Sequence, residues 1–234
     1  MIVSDISRLT EWNERFESAG PEEILEWAIS QFRDGLTMAT AFGAEGCVLL
    51  DMLANLPPIH VFNLDTGYQF PETLELRERI RERYGITVEV VQSDETVAEM
   101  EARFGGPIYK KNPDECCRLR KIVPLQRTLR NYSAWITAIR RDQTSFRANA
   151  PIVGWDKKFG LIKVNPLANW TKRDVWEYII EHDVPYNPLH DEGYPSIGCW
   201  PCTRQVTLGQ DDRSGRWTGT SKVECGLHVD GDGI

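Results

Sequence analysis

Hydrophobic and polar positions in this chain alternate in short blocks whose period switches between two and about 3.6. Residues 36–41, 59–64, 87–92 and 134–139 are runs of apolar and β-branched side chains, of the length and composition that predict buried strands. Between them, 45–56, 71–84 and 97–104 carry helical spacing. Two further helical patterns open the chain, one over 4–18 and one starting at Pro21, a residue pre-set for a first helical turn. A later helix over 171–181 begins at Thr171 as N-cap, with Asp174 three residues on. This alternation predicts an α/β fold: a parallel twisted sheet with helices on both faces. Beyond about residue 185 Gly, Pro, Asp and Tyr dominate without periodicity. We therefore expect a nucleotide-binding unit over 1–184, N-terminal helices included, and a loop-rich tail over 185–234 belonging to the same domain.

Composition narrows the class. The chain has 234 residues, 41% hydrophobic and 26% charged, as in an ordinary soluble globular protein. The opening MIVSDISRLTEW lacks a signal-type apolar core, and the longest apolar stretch, CVLLDMLANL, is interrupted by Asp51. A cytoplasmic protein without a membrane span is expected. The net charge of −8 argues against a general nucleic-acid binder. Residues 101–150, however, hold eleven Lys and Arg against four Asp and Glu, a local +7 in a chain that is otherwise acidic. Such a block suits either a small anionic ligand or a solvated basic helix face.

Three kinds of segment carry candidate chemistry. The turn Thr40-Ala41-Phe42-Gly43-Ala44-Glu45-Gly46 joins a strand to a helix, at the sheet edge where helix N–H groups favour phosphate, but it lacks a Walker Lys-Ser/Thr. The second strand ends in Leu64-Asp65-Thr66-Gly67, where Asp65 can hold a sugar or base edge or simply form the turn. The third kind is cysteine. Cys116-Cys117 and Cys199-x-x-Cys202 offer four soft ligands suited to zinc or to a [4Fe–4S] cluster, and the adjacent pair favours the cluster. Cys47 reads as a core residue. Cys225, in Glu224-Cys225-Gly226-Leu227-His228, is either a loose tail thiol or one that swings into a cleft and is deprotonated there.

Taken together these motifs resemble the sulfonucleotide reductase family, in particular its bacterial adenosine 5′-phosphosulfate reductases of the iron–sulfur type. The resemblance runs from Thr40 to His228 and rests also on Phe70-Pro71-Glu72-Thr73, on Arg120-Lys121 after the cysteine pair, and on Arg140-Arg141-Asp142-Gln143. It implies the PP-loop type of nucleotide fold. It implies Cys116, Cys117, Cys199 and Cys202 as ligands of a [4Fe–4S] cluster and Cys225 as nucleophile. Lys121, Arg147, Arg213, Arg216 and His228 would surround a phosphosulfate; Leu64 and Ala138 would meet adenine; Thr40 to Gly46, with Gly43, would form a modified phosphate loop. Ala138 stands where relatives can have Gly, and Thr144 where Ser is common. The implied reaction is reduction of adenosine 5′-phosphosulfate to sulfite and AMP in sulfate assimilation, with thioredoxin or glutaredoxin as a separate reductant. The 3′-phosphorylated nucleotide is the alternative substrate. Two other classes compete: an adenylating enzyme of the same fold with a structural zinc, which would want a fuller Ser-Gly-Gly-x-Asp-Ser loop, and a non-catalytic metal-binding module. A homo-oligomer is compatible with the sequence.

Overall fold

The computed structural model describes residues 7–220 together with Lys222 and Glu224. Its centre is a six-stranded sheet in the order β3-β2-β1-β4-β6-β5. The strands are β1 (Leu36–Thr40), β2 (His60–Asp65), β3 (Val88–Gln92), β4 (Ala134–Ile136), β5 (Val153–Asp156) and β6 (Leu161–Val164). The pairs β3-β2, β2-β1, β1-β4 and β4-β6 run parallel, whereas β5 pairs antiparallel with β6. The sheet is thus parallel in four of its five pairings, as expected, with an antiparallel strand added at one edge. The cause is a tight hairpin: Phe159 N–H donates to Asp156 Oδ1 at 3.2 Å and Gly160 N–H to the Asp156 carbonyl at 2.7 Å, with Gly160 at φ 73°. A loop this short can join only antiparallel neighbours.

Alternation along the strands divides the core. Val61, Ala134 and Ile136 face one side with Leu36 and Met38, packing under helices α1 (Leu9–Phe16), α2 (Pro21–Phe32), α3 (Ala44–Leu53), α4 (Pro71–Tyr84) and α8 (Lys172–Glu181). Their neighbours Phe62 and Trp135 face the other side, where Leu125 and Leu129 of α7 (Val123–Leu129) cover them. This is the period-two signature of a sheet buried on both faces. A third, smaller cluster gathers Tyr68, Met100 and Ile108 around Cys116. It lies beneath α5 (Val97–Phe104) and α6 (Pro113–Cys117).

Local chemistry sets the helix ends. Thr171 caps α8 as expected, accepting from Asp174 N–H at 3.2 Å while Asp174 Oδ2 accepts from Thr171 N–H at 2.7 Å. Thr96 and Glu99 make the same reciprocal box on α5. Helix α4 closes on Gly85 at φ 67°, the left-handed conformation Gly adopts without cost. Sequence periodicity missed the segment Pro113–Leu129, in which α6 passes through a π-helical turn, Arg118–Ile122, into α7. π-turns recur at functional sites, and this one carries Arg120 and Lys121. Residues 187–217 fold back on the sheet's carboxyl edge: Asn187 Nδ2 donates to Thr73 Oγ1 at 3.0 Å and Trp200 N–H to the Tyr68 carbonyl at 2.8 Å. Among the described residues no helix is long and apolar enough to cross a membrane.

Candidate active site

A cleft of about 1980 Å³, its open mouth included, lies at the carboxyl ends of β1, β2 and β4. Its floor is the turn after β1. Phe42 takes a positive φ of 55°, unusual for a bulky residue, with its ring buried in the core and its N–H bound to Thr40 Oγ1 at 3.1 Å. Helix α3 then starts at Ala44, with Gly43 as an N-cap that offers no side-chain hydrogen bond. The first N–H groups of α3 therefore sit at the cleft, an arrangement that favours anions. Gly46 keeps this turn tight, since a Cβ there would stand 2.9 Å from Thr40 Oγ1. Leu64 and Ala138 line the walls at the ends of β2 and beyond β4.

Beside the cleft lies a smaller cavity lined by Cys116, Cys117, Cys199 and Cys202, with Thr66, Tyr68, Tyr109, Arg120, Lys121, Arg216 and Trp217. Two segments far apart in sequence meet there, α6 and the short turn Trp200–Cys202. Burial, then the facing Cys199 and Cys202, push the Cys116 thiol up to about 12, against the opposing pull of Lys121 and Arg120. Cys202 is raised by burial and by Cys199. Thr66 Oγ1 lies 3.2 Å from Cys199 Sγ. Among the described residues, no group of three or more His, Cys, Asp and Glu side chains closes on a single metal-ion position. Thr66, Lys121, Cys199 and Arg216 line both the cavity and the cleft, so the two share a wall.

That wall is cationic and organised by an aromatic ring. Arg216, Arg213 and Lys222 stand 4.6, 5.6 and 5.5 Å from the centroid of Trp217, within the range of cation–π attraction. Gly198 lets the Arg216 guanidinium lie against the backbone, for a Cβ there would fall 2.2 Å from Nη2. Arg147 and Arg213 converge on the buried carboxylate of Glu224, which accepts from Arg147 Nε at 3.1 Å, Arg147 Nη2 at 2.9 Å and Arg213 Nη2 at 2.8 Å. The network continues through Gln143, which accepts from Arg147 Nη1 and donates from Nε2 to Glu45 at 3.0 Å; Glu45 in turn holds Arg140, which Asp142 also meets at 2.8 Å.

Most of the residues expected from sequence come together here. Thr40, Gly43, Leu64, Ala138, Lys121, Arg147, Arg213 and Arg216 line the cleft, and the four cysteines line one cavity. Asp65 does not: one carboxylate oxygen accepts from Gly67 N–H at 2.8 Å and the other from Gln92 Nε2 at 2.8 Å, outside the cleft lining. Its position is that of a turn-former. Cys225 and His228 lie outside the described residues. Cys47 is buried, as expected, and burial raises its thiol to about 12. The basic block of 101–150 proves not to be one patch. Arg103, Arg118, Arg127 and Arg141 make ion pairs with Glu95, Glu115, Asp94 and Glu17, leaving Lys121, Arg140 and Arg147 at the cleft. Sequence reasoning missed Glu45, Trp217 and Glu224. Glu224 had a signal in its place beside Cys225; Trp217, an isolated aromatic in an aperiodic loop, had none.

Comparison with known proteins bears on the fold and the family. Residues 35–205 match the family described as Phosphoadenosine phosphosulfate reductase domain. The chain is 49% identical over 219 residues to a phosphoadenosine 5′-phosphosulfate reductase of Gloeobacter violaceus, covering 92% of this chain and 91% of that one. It is 46% identical over 225 residues to an adenosine 5′-phosphosulfate reductase of Salinibacter ruber, covering 95% and 89%. Among solved structures, a phosphoadenylyl-sulfate reductase from Candida auris in a phosphate complex superposes with a TM-score of 0.77 at 32% identity, over 86% of this chain and 97% of that one. An FMN adenylyltransferase of Candida glabrata, at 15% identity and a TM-score of 0.56, shares the fold alone. With a family match spanning most of the sheet and relatives near half identical along almost the whole length, this chain belongs to the phosphoadenosine phosphosulfate reductase family.

Proposed function

We propose that this protein reduces adenosine 5′-phosphosulfate to sulfite and AMP in sulfate assimilation. The observation that carries the reading is the shared wall: Lys121 and Arg216 face both the nucleotide cleft and the four-cysteine cavity. A nucleotide whose phosphate lies over the first turn of α3 would then present its sulfate end to those cations. Several Lys and Arg groups suit a ligand with at least two negative charges, and guanidinium forks match sulfate and phosphate oxygens.

The Cys225 thiolate attacks the sulfate sulfur, the bond from that sulfur to the bridging phosphate oxygen breaks, and AMP departs with the electron pair. The product is a Cys225 S-sulfonate. A separate dithiol, thioredoxin or glutaredoxin, attacks the cysteine sulfur and releases sulfite. The partner's second thiol then resolves the mixed disulfide, so the partner is oxidised by two electrons and Cys225 returns as a thiol. Lys121, Arg213 and Arg216 offset charge on the sulfate and on the departing phosphate, and His228 and the neighbouring guanidiniums favour the thiolate.

The cysteine cavity fits a [4Fe–4S] cluster in its chemistry. Four sulfur donors surround one space, cations flank it, and coordination would offset the burial that disfavours the Cys116 thiolate. Cys116, Cys117, Cys199 and Cys202 would hold the group. When bound, it would supply negative charge beside Lys121 and Arg216, which line the same cavity.

Wild-type protein mixed with the nucleotide, without reductant, is expected to gain a sulfonate of roughly 80 Da on the peptide containing Cys225. An adduct on Cys47, or none, would overturn the mechanism. The 49% identical relative from Gloeobacter violaceus is named for the 3′-phosphorylated nucleotide, so steady-state rates on both nucleotides decide which is preferred.

A further inference from the structure

We propose that Glu224 is a positioning residue that fastens the nucleophile-bearing tail to the cleft, and that Arg147 serves this latch rather than the substrate. The inference rests on the function proposed above and assigns roles within the same site.

The geometry is that of a built anion socket. Glu224 retains 2% of its side-chain exposure, Arg147 8% and Arg213 17%. A carboxylate taken this far from water is costly unless paired and hydrogen-bonded. Here two guanidiniums meet it, one of them through the parallel two-point geometry that makes such pairs strong. The third nitrogen of Arg147, Nη1, donates to Gln143 Oε1. All three guanidinium nitrogens of Arg147 are therefore committed to protein acceptors, two of them on the residue directly before Cys225. A trans peptide holds consecutive Cα atoms about 3.8 Å apart, so pinning Glu224 fixes where the nucleophile's segment begins.

A second fastening lies two residues upstream. Lys222 pairs with Asp114 of α6, the helix that carries Cys116 and Cys117, and stands 5.5 Å from the Trp217 ring centroid. The strap is thus tied at one point to the cysteine-bearing helix and at the other to the cleft's arginines, by charges of opposite sign. Slipping the chain by two residues would bring the Lys222 ammonium against two guanidiniums. The order Lys222-x-Glu224 consequently sets the register in which Cys225 is delivered.

Two measurements on the full-length protein test this. The first needs no turnover: trypsin cleavage after Lys222, read by loss of the C-terminal fragment's mass, should be at least about tenfold faster in Glu224→Gln and in Arg147→Ala than in wild type, as expected when charge-assisted bonds holding the strap are lost. Equal rates would overturn the latch, whatever the protein's reaction. The second reads kinetics. Glu224→Gln and Arg147→Ala should each lower kcat at least about tenfold with KM within about threefold of wild type, and the double variant should be no worse than the more severe single one. Glu224→Asp, which keeps the charge, should recover part of the loss. A raised KM in Arg147→Ala, wild-type kcat in Glu224→Gln, or losses that add in the double variant would return Arg147 to the substrate. Arg147→Lys supplies the same reading if the alanine variant does not fold. Failure of wild type to make sulfite would sink the reaction while the cleavage rates still decide the latch.

Discussion

The two ends of the cleft are built on different principles. The end that the proposed function gives to the nucleotide is backbone and mostly small side chains from contiguous stretches: Thr40 to Gly46 and the ends of β2 and β4. The sulfur end is charge and sulfur drawn from positions far apart, with Lys121 and Arg147 from the middle of the chain and Cys199, Arg213, Arg216 and Glu224 from its last part. Shape at the first end depends on strand and turn geometry, which changes little with a single side chain. Function at the second depends on a few ionic groups whose removal leaves partners unpaired. Substitutions at the sulfur end should therefore act on the chemical step, and those at the nucleotide end on binding.

The largest effect is expected at Cys225. Cys225→Ser should lose sulfite production while nucleotide binding, measured calorimetrically, is retained; sulfite at the wild-type rate would remove the tail from the chemistry. Lys121→Ala should lower kcat/KM by a factor on the order of 10², the scale of losing a preorganised charge at the reacting centre. Activity within about threefold of wild type would show that the shared wall carries no catalytic charge. At the nucleotide end, Gly46→Ala places a Cβ 2.9 Å from Thr40 Oγ1. Overpacking of that kind costs about 1–3 kcal/mol and should raise KM about tenfold with kcat little changed. A fall in kcat instead would erase the distinction between the two ends.

The smallest effect concerns pH. His190 lines the cleft wall beside Trp176, its ring centroids 5.3 Å apart, and burial lowers its pKa against the opposing pull of Glu45 and Asp191, with Lys172 adding to the lowering. The unfolded chain takes up this proton first as pH falls through ~6.5. Stability contributed by neutral His190 is therefore present at neutral pH and lost on acidification. The decline in Tm between about pH 7 and pH 5 should be shallower in His190→Gln, since the titrating group is gone. An unchanged decline would place the acid sensitivity elsewhere.

The strands β1 to β3, the capped helices α4, α5 and α8, and the two cysteine pairs are legible in the chain because each rests on near neighbours: period, a capping box, a Pro at a first turn. The hairpin β5-β6 escaped because Val153–Asp156 and Leu161–Val164 are only four residues each and buried almost throughout, without alternation. The π-turn escaped because Arg118–Ile122 carries three basic residues among five and lies between two short helices. At Asp65 the sequence left two readings open, because an acid at a sheet edge serves a turn as readily as a ligand; its bonds to Gly67 N–H and Gln92 Nε2 are those of the turn.

Sequence by itself determined the α/β alternation, the loop over α3 and the four thiols, since period, turn residues and ligand type act over a few positions. Tertiary structure alone decided which cations face the cleft. Arg127 and Arg141 are the same residue type as Arg147, yet Asp94 and Glu17 fold beside them, while Glu224, 77 positions along the chain, folds beside Arg147. An ionic group's role depends on which opposite charge lies within about 4 Å of it, and that distance is set by packing between segments, which no local pattern records.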